Sequence, residues 1–179
     1  CDNIMELSTT LILIGGFILM EAFFSGSEIG MIAINRIKMK QKADEGNSSA
    51  AIVLNLLDTP EKLFATTSLG TNLAVVSSTS IFTAYMVTHM GEQGELWAMV
   101  ILSPIILFGG EIVPKMILQN RADNVMPILI RPLNMSLGLL SPVINFFTNI
   151  SGFITNKIIR LPHENGKSFS RDQILQVLS

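Results

Sequence analysis

The chain has 179 residues, 49% of them hydrophobic and 15% charged, with a mean hydropathy of +0.49; an ordinary soluble domain is neither so apolar nor so sparsely charged. A formal net charge of -2 with no basic tract interleaved with aromatics excludes a nucleic-acid partner. The single cysteine, Cys1, excludes internal disulfides and a cysteine metal cage.

Residues 7–34 run apolar with Glu21 and Glu28 as their only formal charges, and about 20 helical residues at about 1.5 Å each cross a bilayer core. Asp2 and Glu6 precede this run where a signal peptide would carry basic residues, so it is expected to be a retained span, with Cys1 marking a processed start. Arg36, Lys38, Lys40 and Lys42 follow, and the positive-inside rule sets them in the cytoplasm and the N-terminus outside. A turn at Gly46-Asn47-Ser48 and the stripe Ile52, Val53, Leu56, Leu57 predict a short amphipathic helix on the cytoplasmic face.

Pro60 opens the second span, residues 63–90, which lacks formal charge and is rich in Ser68, Thr71, Asn72, Ser77, Ser78, Thr79 and Ser80. Glu92 and Glu95 with no Lys or Arg between them mark an outer loop, Trp97 sits at aromatic-belt depth, and the third span, residues 96–113, returns to the cytoplasm at Lys115. Residues 126–159 are apolar enough to span but are interrupted by Pro127, Pro132, Gly138 and Pro142. A fourth crossing would put Lys157, Arg160, Lys167 and Arg171 outside, so interfacial or re-entrant helices are expected there, within a juxtamembrane belt over residues 123–160. A capping box at Ser170-Arg171-Asp172-Gln173 opens one more amphipathic helix. The expected organisation is all-α: a membrane domain over residues 1–162, then the start of a cytosolic helical region over 163–179.

Three polar clusters lie inside the spans: Phe24-Ser25-Gly26-Ser27-Glu28, Ser68-Leu69-Gly70-Thr71-Asn72 and Gly110-Glu111. At about 1.5 Å per residue all three fall between the midplane and the cytoplasmic surface. Glu21, Ser25 and Glu28 share one helix face, and Ser68 and Asn72 share another. Pro114 has no N–H to give the Gly110 carbonyl four residues before it, which leaves a backbone acceptor beside Glu111. Hydroxyl, amide, carboxylate and carbonyl are hard oxygen donors, and His and Cys are absent from the clusters, so the pattern favours Mg2+, Ca2+ or Na+ over a transition metal.

An intramembrane carboxylate is a functional hypothesis by default, which makes Glu111 the leading candidate. Taken singly, the others have plain structural readings. Serines bond back to their own helix, Asn72 bridges helices, Glu28 meets water or Arg36, Glu21 packs as a neutral acid, and Lys115 snorkels to the cytoplasm. With no HExxH, no paired Asp and no nucleophile beside a base, an enzyme is not expected.

The segments FFSGSEIG, SLGTN and GGEIVPK, in this order on three successive spans, with a basic cluster after the first, resemble the transmembrane domain of the CNNM/CorC family of magnesium transporters. The resemblance implies a homodimer in the cell (plasma or inner) membrane, with three spans and a belt of juxtamembrane helices per protomer and the C-terminus cytoplasmic. It implies an inward-facing cavity holding dehydrated Mg2+ and Na+-coupled export. It also implies a ligand set: side chains of Ser25, Asn72 and Glu111 and the carbonyl of Gly110, with Gly26, Ser68 and Glu28 as weaker candidates. ATP would act only through a cytosolic module of the kind that follows the membrane part in that family. The competing expectation is a membrane anchor or sensor that binds Mg2+ without moving it.

Overall fold

The computed structural model describes residues 2–158, with side-chain surroundings for residues 6–146, and every regular element among them is helical. The predicted cap at Ser170 and the cytosolic region over 163–179 lie outside the described residues. One compact unit extends to Ile144; of the second, residues 145–158 are described and are helical.

The order is α1 (Asp2–Ala33), α2 (Arg36–Asp44), α3 (Ser48–Leu57), α4 (Pro60–Met90), α5 (Gln93–Ile105), a π-helical segment (Ile106–Ile112) and α6 (Val113–Ile158). Asn35 and Asn47 accept bonds from the N–H groups of Lys38 and Ala50 and so cap α2 and α3. Between those helices Gly46 takes φ +92, a conformation open to glycine. Pro60 starts α4 at a position where its missing N–H costs nothing. Three helical runs are long and apolar enough to cross a membrane: Glu6–Ala33, Pro60–Met90 and Gln93–Phe146. Leu11, Ile12, Leu19, Val76, Leu96, Met99 and Val100 remain exposed along them, as suits a lipid-facing surface.

The C-terminal half of α1 is the centre of the packing. Phe24, Ser25, Gly26 and Ser27 are buried in succession, so this stretch is enclosed all round instead of along one stripe. Small residues make that possible by letting neighbouring backbones approach. A Cβ on Gly26 would meet Leu118 at 3.1 Å and Pro114 at 3.3 Å, and one on Gly30 would meet Met126 Sδ at 2.5 Å. On the other side Gly70 of α4 receives Phe24.

Past that contact, Met31 of α1 and Ile34 just after it join Met39 of α2, Val53 of α3, Leu63 of α4 and the α6 stripe Ala122, Met126, Ile130, Leu133 in one apolar core. α2 and α3 are tied on by polar bonds as well. The Arg36 guanidinium donates to the Leu57 carbonyl at 2.8 Å and to Asp58 at 3.1 Å, which satisfies the C-terminal end of α3. Arg36 is therefore engaged there and not with Glu28.

The end of the third span departs from expectation. The helix does not stop near residue 113; it widens into a π turn and runs on, and the residue inside α6 with non-helical angles is Arg121 (φ -124, ψ 23). Pro127, Pro132 and Pro142 lie inside a helix they were expected to interrupt. One face of that helix is held by the buried stripe, while Pro132 and Pro142 are exposed, and the Ser136 hydroxyl donates to the Pro132 carbonyl at 2.9 Å. Packing outweighs the lost backbone bonds.

Candidate functional site

The π segment is where the chain answers Pro114. Val113 donates its N–H to the Phe108 carbonyl, five residues back instead of four. Carried one residue on, that register sets the missing Pro114 donor against Gly109, where an α-helical register would set it against Gly110. Single π turns of this kind recur at functional sites, since they present backbone that a regular helix would hide.

Gly110 is buried, and the side chain that fills the space above it is Glu21 of α1: a Cβ on Gly110 would collide with the Glu21 carboxyl group. Glu21 is 1% exposed, and its Oε2 has no hydrogen-bond partner. One turn further along the same face, Ser25 is 2% exposed and its Oγ is also unpartnered. Ser27 Oγ and Thr71 Oγ1 share that condition. A buried polar atom without a partner costs on the order of 1–3 kcal/mol.

The contrast with α4 is informative. There Thr66, Thr67 and Ser78 return their hydroxyls to their own helix, at 2.8, 3.1 and 3.0 Å from the carbonyls of Lys62, Leu63 and Val75. The structural reading of membrane serines and threonines holds for these three α4 residues, though not for Thr71. It fails for Ser25 and Ser27.

Glu111 is half exposed, and its Oε1 accepts from Lys115 Nζ at 2.6 Å, one helical turn on. Lys115 is thus paired with the leading candidate instead of reaching away from it, because α-helical spacing of four residues sets the two side chains together. Glu28 is half-buried.

Asn72 and Ser68 are exposed. The Asn72 amide donates to the Ser68 carbonyl at 2.8 Å and lies 3.5 Å from Ser68 Oγ. With that N–H used inside its own helix, Oδ1 is the atom left for a ligand. At about 100° per residue, Ser68 and Asn72 fall on the side of α4 opposite the buried Leu63, Gly70 and Ala74. Packing around α1 therefore gathers Ser25, Gly26, Gly110 and, unforeseen, Glu21. Asn72 and Ser68 lie on the other face of α4.

The donors available are carboxylate, hydroxyl, amide and backbone carbonyl. Among the described residues no three of His, Cys, Asp and Glu cluster as a metal group. Such a set suits a hard cation held partly by neutral oxygens. Glu21 was readable as intramembrane and as sharing the Ser25 face. What the sequence does not contain is which backbone the carboxyl would meet.

Residues 11–179 match the family described as "Cyclin M transmembrane N-terminal domain". Relatives include the "UPF0053 inner membrane protein YfjD" of Escherichia coli (strain K12), 28% identical over 89% of this chain and 42% of its own length. The "Polyamine export protein" of the same strain is 27% identical over 90% of this chain and 39% of its own length. A chloroplastic DUF21 domain-containing protein of Arabidopsis thaliana is 27% identical over 89% of this chain and 24% of its own length. The chain thus spans less than half the length of these relatives.

Proposed function

Because the chain belongs to the cyclin M transmembrane N-terminal domain family, we propose that it is the membrane part of a transporter that takes Mg2+ from the cytoplasm and releases it outside, coupled to Na+, as a homodimer. The observation that carries this reading is the Ser25 hydroxyl, buried and unpartnered on the α1 face that meets the π segment bearing Gly110 and Glu111. Mg2+ gives up its water shell reluctantly, so a dry site must offer oxygens already in place. Ser25 Oγ and the Glu111 carboxylate are such oxygens; the carbonyl opposite Pro114 is Gly109's in the π register and becomes Gly110's if the segment returns to α-helical register, and Asn72 Oδ1 joins them if the outer face of α4 turns toward α1 during the cycle. Ligand exchange is the only chemistry required.

The test is calorimetric titration of the purified chain with MgCl2 beside Mg2+ flux from liposomes, for the wild type and Glu111→Ala. Saturable binding and flux in the wild type, both lost in the variant, support transport. Binding without flux supports the sensor or anchor, and flux retained by Glu111→Ala removes the site.

A second cargo class is favoured by one contact, the Lys115 ammonium seated on Glu111 at 2.6 Å. An alkylammonium already fits that carboxylate, and relatives in three strains of Escherichia coli carry the name "Polyamine export protein". Spermidine that displaces Mg2+ and is itself moved across liposomes would make the cargo a polyamine.

A further inference from the structure

Resting on that transport reading, we infer that Glu21 is a second carboxylate ligand of the cargo site, and that the site is built for a divalent metal cation because it holds two carboxylates on either side of Gly110. Glu111 follows Gly110 in the chain, and the Glu21 carboxyl packs against Gly110 from α1, in a space that any side chain at residue 110 would fill.

Charge is the first argument. A divalent ion stripped of water beside one carboxylate keeps a net positive charge in a low-dielectric setting, which is costly. Glu111 by itself cannot neutralise it, and part of its charge is already matched by Lys115. A carboxylate from α1 brings the metal and its two acidic ligands to neutrality once the Lys115 ammonium leaves. Lys115 can leave, since its side chain is 34% exposed and sits on a flexible stem.

The second argument is the state of the oxygens. A buried carboxyl kept only for packing is expected to find a donor, as buried polar groups do. Glu21 Oε2 has none, and neither has Ser25 Oγ one turn away on the same face. The α4 residues buried against α1, Thr66, Thr67, Gly70, Ala74 and Ser78, offer no cation to pair with it. A carboxyl oxygen packed on a glycine backbone and a hydroxyl oxygen one turn away, both without partners, are oxygens open to a cation.

The experiment is calorimetric titration of the purified chain with MgCl2, for the wild type, Glu21→Gln and Glu111→Gln, each checked for folding by thermal melting and repeated in high NaCl. Glu21→Gln keeps the shape and removes the charge. Its Mg2+ affinity is expected to fall by about 10- to 100-fold, the scale of perturbing a metal's immediate support, and its preference for Mg2+ over Na+ is expected to fall with it. Wild-type Mg2+ affinity and selectivity in Glu21→Gln, with binding lost in Glu111→Gln, overturns the inference and leaves the transport reading standing. No Mg2+ binding in the folded wild type overturns both. Should Glu21→Gln not fold, Glu21→Asp keeps the charge and shortens the reach; about a tenfold loss is expected, and unchanged affinity overturns the inference.

Discussion

Phe24 sets its ring in the space that Gly70 leaves open: a Cβ at residue 70 would fall 2.5 Å from ring carbons Cδ2 and Cε2. No real side chain tolerates that distance, so α1 and α4 approach as they do because residue 70 is glycine. Gly70→Ala is expected to force the helices apart and to cost about 1–3 kcal/mol. Thermal melting in detergent measures it. Adding Phe24→Leu should recover part of the loss, since the two changes act on one contact.

Lys115 occupies the Glu111 oxygen that a bound cation would need. Lys115→Met keeps the apolar stem and removes the competing charge. A half-exposed ion pair contributes about 0.2–1 kcal/mol, so Mg2+ affinity is expected to rise by a factor of about 1.4 to 5. Unchanged affinity by calorimetry would mean that Glu111 binds through its other oxygen or not at all.

Pro114 is both the cause of the widened backbone and the partner of Gly26. Pro114→Ala keeps the Cβ that faces the bare backbone of Gly26 while restoring a backbone donor. The segment is expected to relax toward α-helical register, raising stability by up to about 3 kcal/mol. Mg2+ affinity is expected to fall as the backbone closes. Higher melting temperature with undiminished binding would show that the π turn is not part of the site.

Asp123 ties the start of α2 to α6 just past the Arg121 bend. Its carboxylate accepts the Asn35 N–H at 2.9 Å and pairs with Lys38 at 3.2 Å, while Lys42 reaches its backbone carbonyl at 3.1 Å. Asp123→Ala strips the Asn35 N–H of its acceptor and is expected to cost about 1–3 kcal/mol, read by thermal melting. Asp123→Asn, which still offers an oxygen to Asn35, should lose less.

Much of this architecture was legible because it depends on local composition. Hydropathy located three spans, Pro60 opened α4, and the Ile52 to Leu57 stripe located α3. The fate of the prolines was not legible, since Pro127, Pro132 and Pro142 are tolerated by a packed stripe whose partners lie some 70 to 100 residues away in α1, α2 and α3. At the site, the face shared by Glu21 and Ser25 could be read from spacing, whereas Pro114 pointed to the Gly110 carbonyl and the π register sets the missing donor against Gly109 instead. Glu21 could be seen but not assigned, because its meaning comes from the backbone opposite. Lys115 was misread for a related reason: the pull of water on an ammonium was weighed above a carboxylate one turn away.

The central position of α1 also bears on biogenesis. α1 leaves the ribosome well before the segment that covers it: Glu21 and Ser25 must wait for the Gly110 segment, roughly ninety residues later, which at typical elongation takes about 5–20 s. During that interval a carboxyl and two hydroxyls, those of Ser25 and Ser27, face lipid or the insertion machinery without their helical enclosure. Nascent α1 is therefore a natural client for a membrane chaperone until the π segment, and after it the α6 stripe, pack against it.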